Sequence, residues 1–229
     1  MHERPYTLLS CAMSIDGYIG SPGSRLLLSN DADFERVDEV RASCDAILVG
    51  AATVRMDNPR LLVRSRALRE QRAARGARPS PMKVTVTRRV ELDPHANFFT
   101  AGDVEKLVYC PSPRVPEARA RLEPTATVVD GGQRVDMRTL CSDLAARGVQ
   151  RLMVEGGGTV HTQFLTGDLA DELQLVVAPL FVGDSGGTRF VRDGRFPWNA
   201  GQRASLSEVR QVGDVVLLRY ALSPRFGMD

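Results

Sequence analysis

Asp45-Ala46-Ile47-Leu48-Val49-Gly50-Ala51-Ala52-Thr53-Val54-Arg55-Met56-Asp57-Asn58-Pro59-Arg60-Leu61 begins as an apolar run, turns at small residues and then gathers a threonine, an aspartate and arginines. Ala46 to Val49 carries no polar side chain on either face, the pattern of a strand covered on both sides in a parallel sheet. Open sheets of that kind place ligands beyond the carboxyl ends of their strands. The polar residues after Gly50 are therefore the first place to look for chemistry. A second strand end has the same form at Leu152-Met153-Val154-Glu155-Gly156-Gly157-Gly158-Thr159, where an apolar run delivers a carboxylate and three glycines. The two ends together read as one site for a phosphate-bearing cofactor.

Working outward, strands alternate with helices. Tyr6 to Met13 is apolar and stops at the Asp16-Gly17 turn signal. Asp31 to Ser43 has helical spacing of Phe34, Val37 and Val40, with Asn30 or Asp31 as its cap. Met82 to Thr87, Lys106 to Tyr109 and Thr125 to Val129 read as strands, and Arg114 to Leu122 and Asp136 to Arg147 as helices, the last closing at Gly148. A helix is expected over Thr159 to Leu165 and a strand over Glu172 to Ala178, ended by Pro179. Ala204 to Val212 and Val215 to Leu222 are separated by Gly213-Asp214, a hairpin signal. The expectation is a single α/β domain over 1–229, a mostly parallel sheet flanked by helices and finished by an antiparallel hairpin.

Composition narrows the function. The 229 residues are 43% hydrophobic with a net charge of +2, enough for a full core and too little charge to make nucleic acid or membrane the main partner. No run approaches the roughly 20 apolar residues of a membrane span, and the N-terminus lacks a signal-peptide pattern. A cytoplasmic protein is expected. Cys11, Cys44, Cys110 and Cys141 form no C-x-x-C pair and only His2, His95 and His161 supply imidazole, so no metal site is expected. Cys11 and Cys44 read as small core residues. Lysine is nearly absent, with only Lys83 and Lys106, which argues against Schiff-base chemistry.

The glycine turn lets backbone N–H groups approach a pyrophosphate, and the helix after it adds a favourable dipole. It is neither a G-x-G-x-x-G fingerprint nor a P-loop, and a tight turn closing helix on sheet would use the same residues. Glu155 argues for a ligand, because an acid at the end of an apolar strand must be paired, hydrated or poised to meet one. Asp57-Asn58-Pro59 is equally compatible with an ordinary turn. Yet Thr53, Asp57, Arg60 and Arg64 bring hydroxyl, carboxylate and guanidinium groups after one strand, and arginine suits phosphate by its planar fork. Arg41 is a second clamp or a cation that offsets a helix dipole. Arg64 to Arg78 repeats arginine every two or three residues without aromatics, as a solvated helix, a loose loop or a nucleic-acid arm would.

These residues resemble the riboflavin-biosynthesis pyrimidine reductases, which have the dihydrofolate reductase-like fold. The matching pieces are Ala12-Met13-Ser14-Ile15-Asp16-Gly17, Val40-Arg41-Ala42, Asp45 to Gly50, Thr53-Val54, Asp57 to Leu61, Val154 to Thr159, Asp171-Glu172-Leu173, Ala178-Pro179 and Gly183, in family order over nearly the whole chain. The resemblance implies NADPH-dependent reduction of a ribosylaminopyrimidine 5′-phosphate, with hydride delivered to C1′ of the opened sugar. It implies cofactor contacts at Ala12, Thr53, Asp57, Thr87, Arg88, Gly156, Gly157, Gly158, Thr159 and Val160. Substrate contacts are implied at Arg25, Arg41, Leu61, Arg64 and Glu155, and a homodimer is implied as well. Asp57 and Glu155 are the candidate catalytic residues, relaying a proton or fixing substrate hydroxyls, roles that water or substrate groups could also fill.

Ser10 stands where bacterial two-domain members usually carry lysine, which brings the chain nearer to the single-domain archaeal and fungal type. Asn58 replaces the second acid of an Asp-Asp-Pro, and Thr87 replaces a common aspartate. These departures keep two alternatives open. One is a reductase of the same fold acting on a pterin, a dihydrofolate-like molecule or a specialised metabolite; the other is a nonenzymatic binding protein. No H-x-E followed by P-C-x-x-C is present, so no zinc deaminase domain is expected.

Overall fold

A computed structural model describes residues 3–22 and 26–227. The chain starts with strand β1 (Tyr6–Ser14), a tight turn and the short strand β2 (Tyr18–Gly20). Helix α1 (Asp31–Ala42) follows, capped by Asn30, whose Oδ1 accepts the Asp33 N–H at 2.9 Å. Strand β3 (Ala46–Gly50) runs straight into helix α2 (Ala51–Asp57), and α3 (Arg66–Ala74) comes after an extended stretch. Next are β4 (Met82–Val86), the one-turn helix α4 (Asn97–Thr100), β5 (Lys106–Cys110), a 3₁₀ turn at Ser112–Arg114, α5 (Val115–Leu122) and β6 (Thr127–Asp130). The remainder is α6 (Met137–Ala146), β7 (Arg151–Gly156), α7 (Gly158–Thr166), β8 (Glu172–Ala178), β9 (Thr188–Arg189), β10 (Ser205–Val212) and β11 (Val215–Ala221).

The chain forms two compact units. One comprises Asp38–Met153 with the residues up to Pro5; the other comprises Tyr6–Val37 and the chain from Val154 onward. Two elements, α1 and β7, each contribute residues to both.

In the first unit β3, β4, β5 and β6 pair in parallel, in that order. Ile47, Leu48, Val84, Leu107 and Val108 are wholly buried, each stabilising the fold by about 1.5–3 kcal/mol. The arginine-rich segment is the helix α3 and its flanks, and part of its charge is engaged internally. Arg72 is buried and donates to the carbonyls of Ala42 and Cys44, each at 2.7 Å, which satisfies the orphan carbonyls where α1 ends. It also donates to the Arg78 carbonyl at 2.8 Å, while Arg69 donates to the carbonyl of Val63 at 3.0 Å. Arg69 and Arg72 thus spend guanidinium donors on backbone carbonyls, while Arg64, Arg66, Arg75 and Arg78 are exposed.

In the second unit β1 and β8 are parallel, while β11 is antiparallel to β8 and to β10. The Gly213-Asp214 turn joins β10 to β11, with Val212 opposite Val215 and Gly213 at φ +64. Asp171 and Glu172, part of the motif behind the family resemblance, are buried structural anchors. The Asp171 carboxylate accepts the Thr7 N–H at 2.8 Å and the Ser223 hydroxyl at 2.6 Å, and pairs with Arg225 at 3.2 Å. Glu172 accepts from the Tyr6 hydroxyl at 2.9 Å and pairs with Arg219 at 2.8 Å. They join the start of β8 to the start of β1 and to the chain's C-terminal stretch.

The small-residue turn expected after Gly50 is a helix. Gly50, at φ −71 and ψ 152, ends the strand in an extended conformation, and Ala51-Ala52 then start α2, since alanine is the strongest helix former. Asn58, at φ 44, stops it in the left-handed conformation that asparagine tolerates. Among the described residues no helix is long and apolar enough to cross a membrane.

Candidate active site

In the first unit the expected site residues lie on α1, on α2, on the stretch that follows α2 and after β4. Thr53 and Asp57 lie four residues apart, on one face of the helix, with Thr53 half-buried and Asp57 exposed. Arg41, in the last turn of α1, sends its guanidinium to the Leu62 carbonyl at 3.4 Å, just after Leu61. Leu61 itself is 1% exposed at φ 48, so its side chain belongs to the core and any ligand contact it makes is through its backbone. Arg64 is exposed; its amide and that of Ser65 both donate to the buried Asp38 carboxylate, each at 2.7 Å, which fixes the backbone on which Arg64 is displayed.

Thr87 and Arg88 follow the end of β4. The Thr87 hydroxyl accepts the Val90 N–H at 3.0 Å and its amide donates to the Tyr109 carbonyl at 3.0 Å, so this buried residue shapes a turn, while Arg88 points into solvent. Arg25 lies outside the described residues.

In the second unit β7 delivers Glu155, half-buried, and the peptide between Gly156 and Gly157 is cis. Gly156 sits at φ +121, where a side chain is strained, and a Cβ there would lie 3.4 Å from the His161 ring. Gly157 is the residue before α7, a nine-residue helix whose first amides have no intrahelical acceptor. A glycine approach to a helix N-terminus fits a pyrophosphate, since no Cβ blocks it and the dipole favours the negative charge. Gly158 has a different reason for being glycine: a Cβ there would come within 2.2 Å of the Arg189 carbonyl oxygen. Thr159 is exposed, and Val160 is buried, so its side chain packs inward. Ala12, half-buried on β1, is paired with Val176.

Several further residues were not among the expected site residues. His161 is wholly buried and neither ring nitrogen has a hydrogen-bond partner, although the Val154 and Phe190 carbonyls lie close enough to favour its protonated form. Burial outweighs them and pulls its pKa down to about 4, so the ring is a neutral packing group beneath Gly156 and against Phe190, 5.2 Å away. The β9 segment crosses the same turn, with the Arg189 guanidinium over the Tyr18 ring at 4.5 Å. Asp16 accepts the Gly183 N–H at 2.8 Å and the Val182 N–H at 3.1 Å, and bonds to Ser14 and these amides hold its carboxyl down at about 2. In the first unit Lys83 is a fully buried lysine on β4; burial, then Lys106 and Arg41, bring its pKa down to about 8. Among the described residues no group of three or more His, Cys, Asp or Glu could hold a metal ion. Burial pushes the Cys44 thiol up to about 11, as suits a core residue.

Residues 5–218 match the model of the RibD C-terminal domain. The chain belongs to the RibD C-terminal domain family. Among curated proteins, the chain is similar to the 2,5-diamino-6-ribosylamino-4(3H)-pyrimidinone 5′-phosphate reductase of Archaeoglobus fulgidus, 38% identical over 183 residues, which are 79% of this chain and 83% of that protein. The protein of the same name from Methanothermobacter thermautotrophicus is 38% identical over 185 residues, 79% of this chain and 80% of that one. Among solved structures, a pyrimidine reductase-like protein from Corynebacterium diphtheriae superposes with a TM-score of 0.81 at 21% identity, covering 95% of this chain and 91% of the other. That likeness carries the α/β fold of the RibD C-terminal domain.

Proposed function

We propose that the chain is a nicotinamide-dependent reductase of riboflavin biosynthesis, using NADPH to convert 2,5-diamino-6-ribosylamino-4(3H)-pyrimidinone 5′-phosphate, or a close ribosylaminopyrimidine phosphate, to its ribitylamino form. The observation that carries this reading is the 38% identity to two reductases so named, extending over about four-fifths of both partners in each comparison. The glycine turn at the end of β7 supports it with a feature suited to a dinucleotide. We take residues 1–229 as one reductase domain, acting in the cytoplasm as a homodimer with a small phosphorylated substrate.

When bound, the nicotinamide supplies the hydride for C1′ of the opened ribose. The protein's task is to hold reactants at near-contact distance and in the right orientation. Gly156 and Gly157 would leave room for a pyrophosphate to approach the backbone, and the first α7 amides would donate to it. Thr53 offers a hydroxyl from α2, and Asp57 a carboxylate that receives hydrogen bonds from ligand hydroxyls. Arg41 and Arg64 are the cations for the substrate phosphate, with Arg64 held out by the Asp38 clasp on its backbone. Glu155, at a strand end, fixes substrate hydroxyls or passes a proton to the sugar oxygen as the C1′ carbonyl or imine is reduced.

The test is purified protein against a panel of aminopyrimidine ribosyl phosphates, pterins and dihydrofolate, each with NADPH and with NADH, following loss of reduced nicotinamide. The reading predicts turnover with the ribosylaminopyrimidine phosphate and a preference for NADPH. Turnover only with a pterin or dihydrofolate would move the substrate assignment, and failure to bind either nicotinamide would overturn the enzyme reading.

A further inference from the structure

The residue after Asp57 is tied to a helix far along the chain. Asn58, the left-handed residue that ends α2, accepts the Asn97 amide N–H on its side-chain Oδ1 at 2.7 Å, and its own carbonyl accepts from Asn97 Nδ2 at 3.1 Å. Asn97 is the first residue of α4, whose preceding residue, Ala96, has no side chain able to cap it. Asn58 therefore caps α4 from a distance, and Asn97 in return holds the backbone at Asn58.

The other end of α4 is held from β4. The Lys83 ammonium donates to the carbonyls of Ala101 at 2.6 Å, Phe98 at 3.1 Å and Asn97 at 3.4 Å. A cation there meets the negative end of the helix and satisfies its orphan carbonyls. Phe98 and Phe99, both buried and packed edge to face at 4.9 Å, pin the helix between those two anchors. A helix of four residues has almost no stability of its own, because nucleation is unfavourable, so its position is set by these contacts. The chain of fixed contacts runs from β4 through Lys83 and α4 to Asn97, then Asn58, and so to Asp57.

We infer that α4 and Asn97 are a positioning device for Asp57: the paired asparagines lock the carboxyl end of α2 so that the Asp57 carboxylate is presented in one orientation to the cofactor. Asn97 is a positioning residue, not a catalytic one. The inference deepens the proposed function and rests on Asp57 serving the nicotinamide cofactor. It gives asparagine at 58 a reason of its own, since it tolerates the left-handed turn and accepts the Asn97 N–H without adding a negative charge beside Asp57.

The test uses three full-length variants, Asn97→Ala, Asn58→Gly and their double, with NADPH affinity read by fluorescence titration and stability by thermal melting. Glycine keeps the left-handed conformation at 58 and removes only the side-chain acceptor. Each single change is expected to weaken NADPH binding about threefold to tenfold, the range of one lost hydrogen bond, with the double variant no weaker than the worse single. Melting temperature is expected to fall by no more than a few degrees, so that most of the protein remains folded at the titration temperature. Wild-type affinity in both singles, or losses that multiply in the double, would overturn the positioning role. If Asp57→Asn weakens NADPH binding while Asn97→Ala does not, this inference alone fails; if the wild type binds no NADPH, the functional reading fails with it.

Discussion

Replacing Lys83 by methionine tests the buried anchor of α4. A lysine whose pKa falls from 10.5 to about 8 on folding resists being charged in the folded state. Its penalty is fully present well below pH 8, where folded and unfolded chains are both protonated, and is relieved as pH rises between 8 and 10.5, where the folded lysine loses its proton and the unfolded one largely keeps it. Integrating proton uptake between pH 7 and 9.5 with those two values gives a stabilisation of about 2 kcal/mol for the wild type. Lys83→Met removes that dependence. At any one pH it also strips three carbonyls of their donor, so the informative quantity is the difference in pH response between the two proteins. Thiols and tyrosines titrate equally in both and cancel in that difference. Urea unfolding of each protein at pH 7 and 9.5 measures it: the wild type should gain about 2 kcal/mol relative to the variant over that interval. Parallel responses would show that Lys83 titrates as an ordinary lysine and would refute the account of a dry, charged anchor.

Three further outcomes are expected. Asp57→Asn should cut turnover by a factor of ten or more, on the order of a lost charge-assisted hydrogen bond, and shift thermal melting little because Asp57 is exposed; equal loss of both would make Asp57 a structural turn residue. Gly157→Val should raise the dissociation constant for NADPH by filling the approach to α7, and an unchanged constant would remove the pyrophosphate from that turn. Gly158→Ala should destabilise the protein by about 1–3 kcal/mol in chemical denaturation, since its methyl must displace the Arg189 carbonyl from a 2.2 Å approach; wild-type stability would mean that the β9 segment yields freely.

The long strands and helices were legible because each had a clear period and a clear stop. Ala46 to Gly50 is apolar on both faces, α6 begins at an Asp136 cap and is followed by Gly148 at φ 90, and Gly213-Asp214 marks the hairpin. The motifs of the family resemblance likewise pointed to the fold that the RibD C-terminal match shows. The helix α2 was not legible, since seven residues containing two alanines read as a turn as readily as two helical turns. The β2 and β9 pair is too short to carry a period, and their pairing depends on residues some 170 apart. Lys83 shows a deeper limit. Its place in Met82-Lys83-Val84-Thr85-Val86 suggests a solvent-facing side chain, and only the carbonyls at the end of α4, supplied by a later segment, make full burial tolerable. The capping work of Arg72 was hidden for the same reason, because its acceptors belong to α1 and the turn after it.

The pairing of β1 with β8 joins Leu8 to Glu172 and Ser14 to Ala178, so β1 meets this partner only after some 160 further residues have been made. At roughly 5–20 residues per second, the nascent segment waits on the order of 10–30 s with its apolar side chains uncovered. Production of this protein should therefore respond to holdase chaperones that shelter an early hydrophobic stretch, and shortening the chain from its C-terminal side should harm solubility far more than the lost mass would suggest.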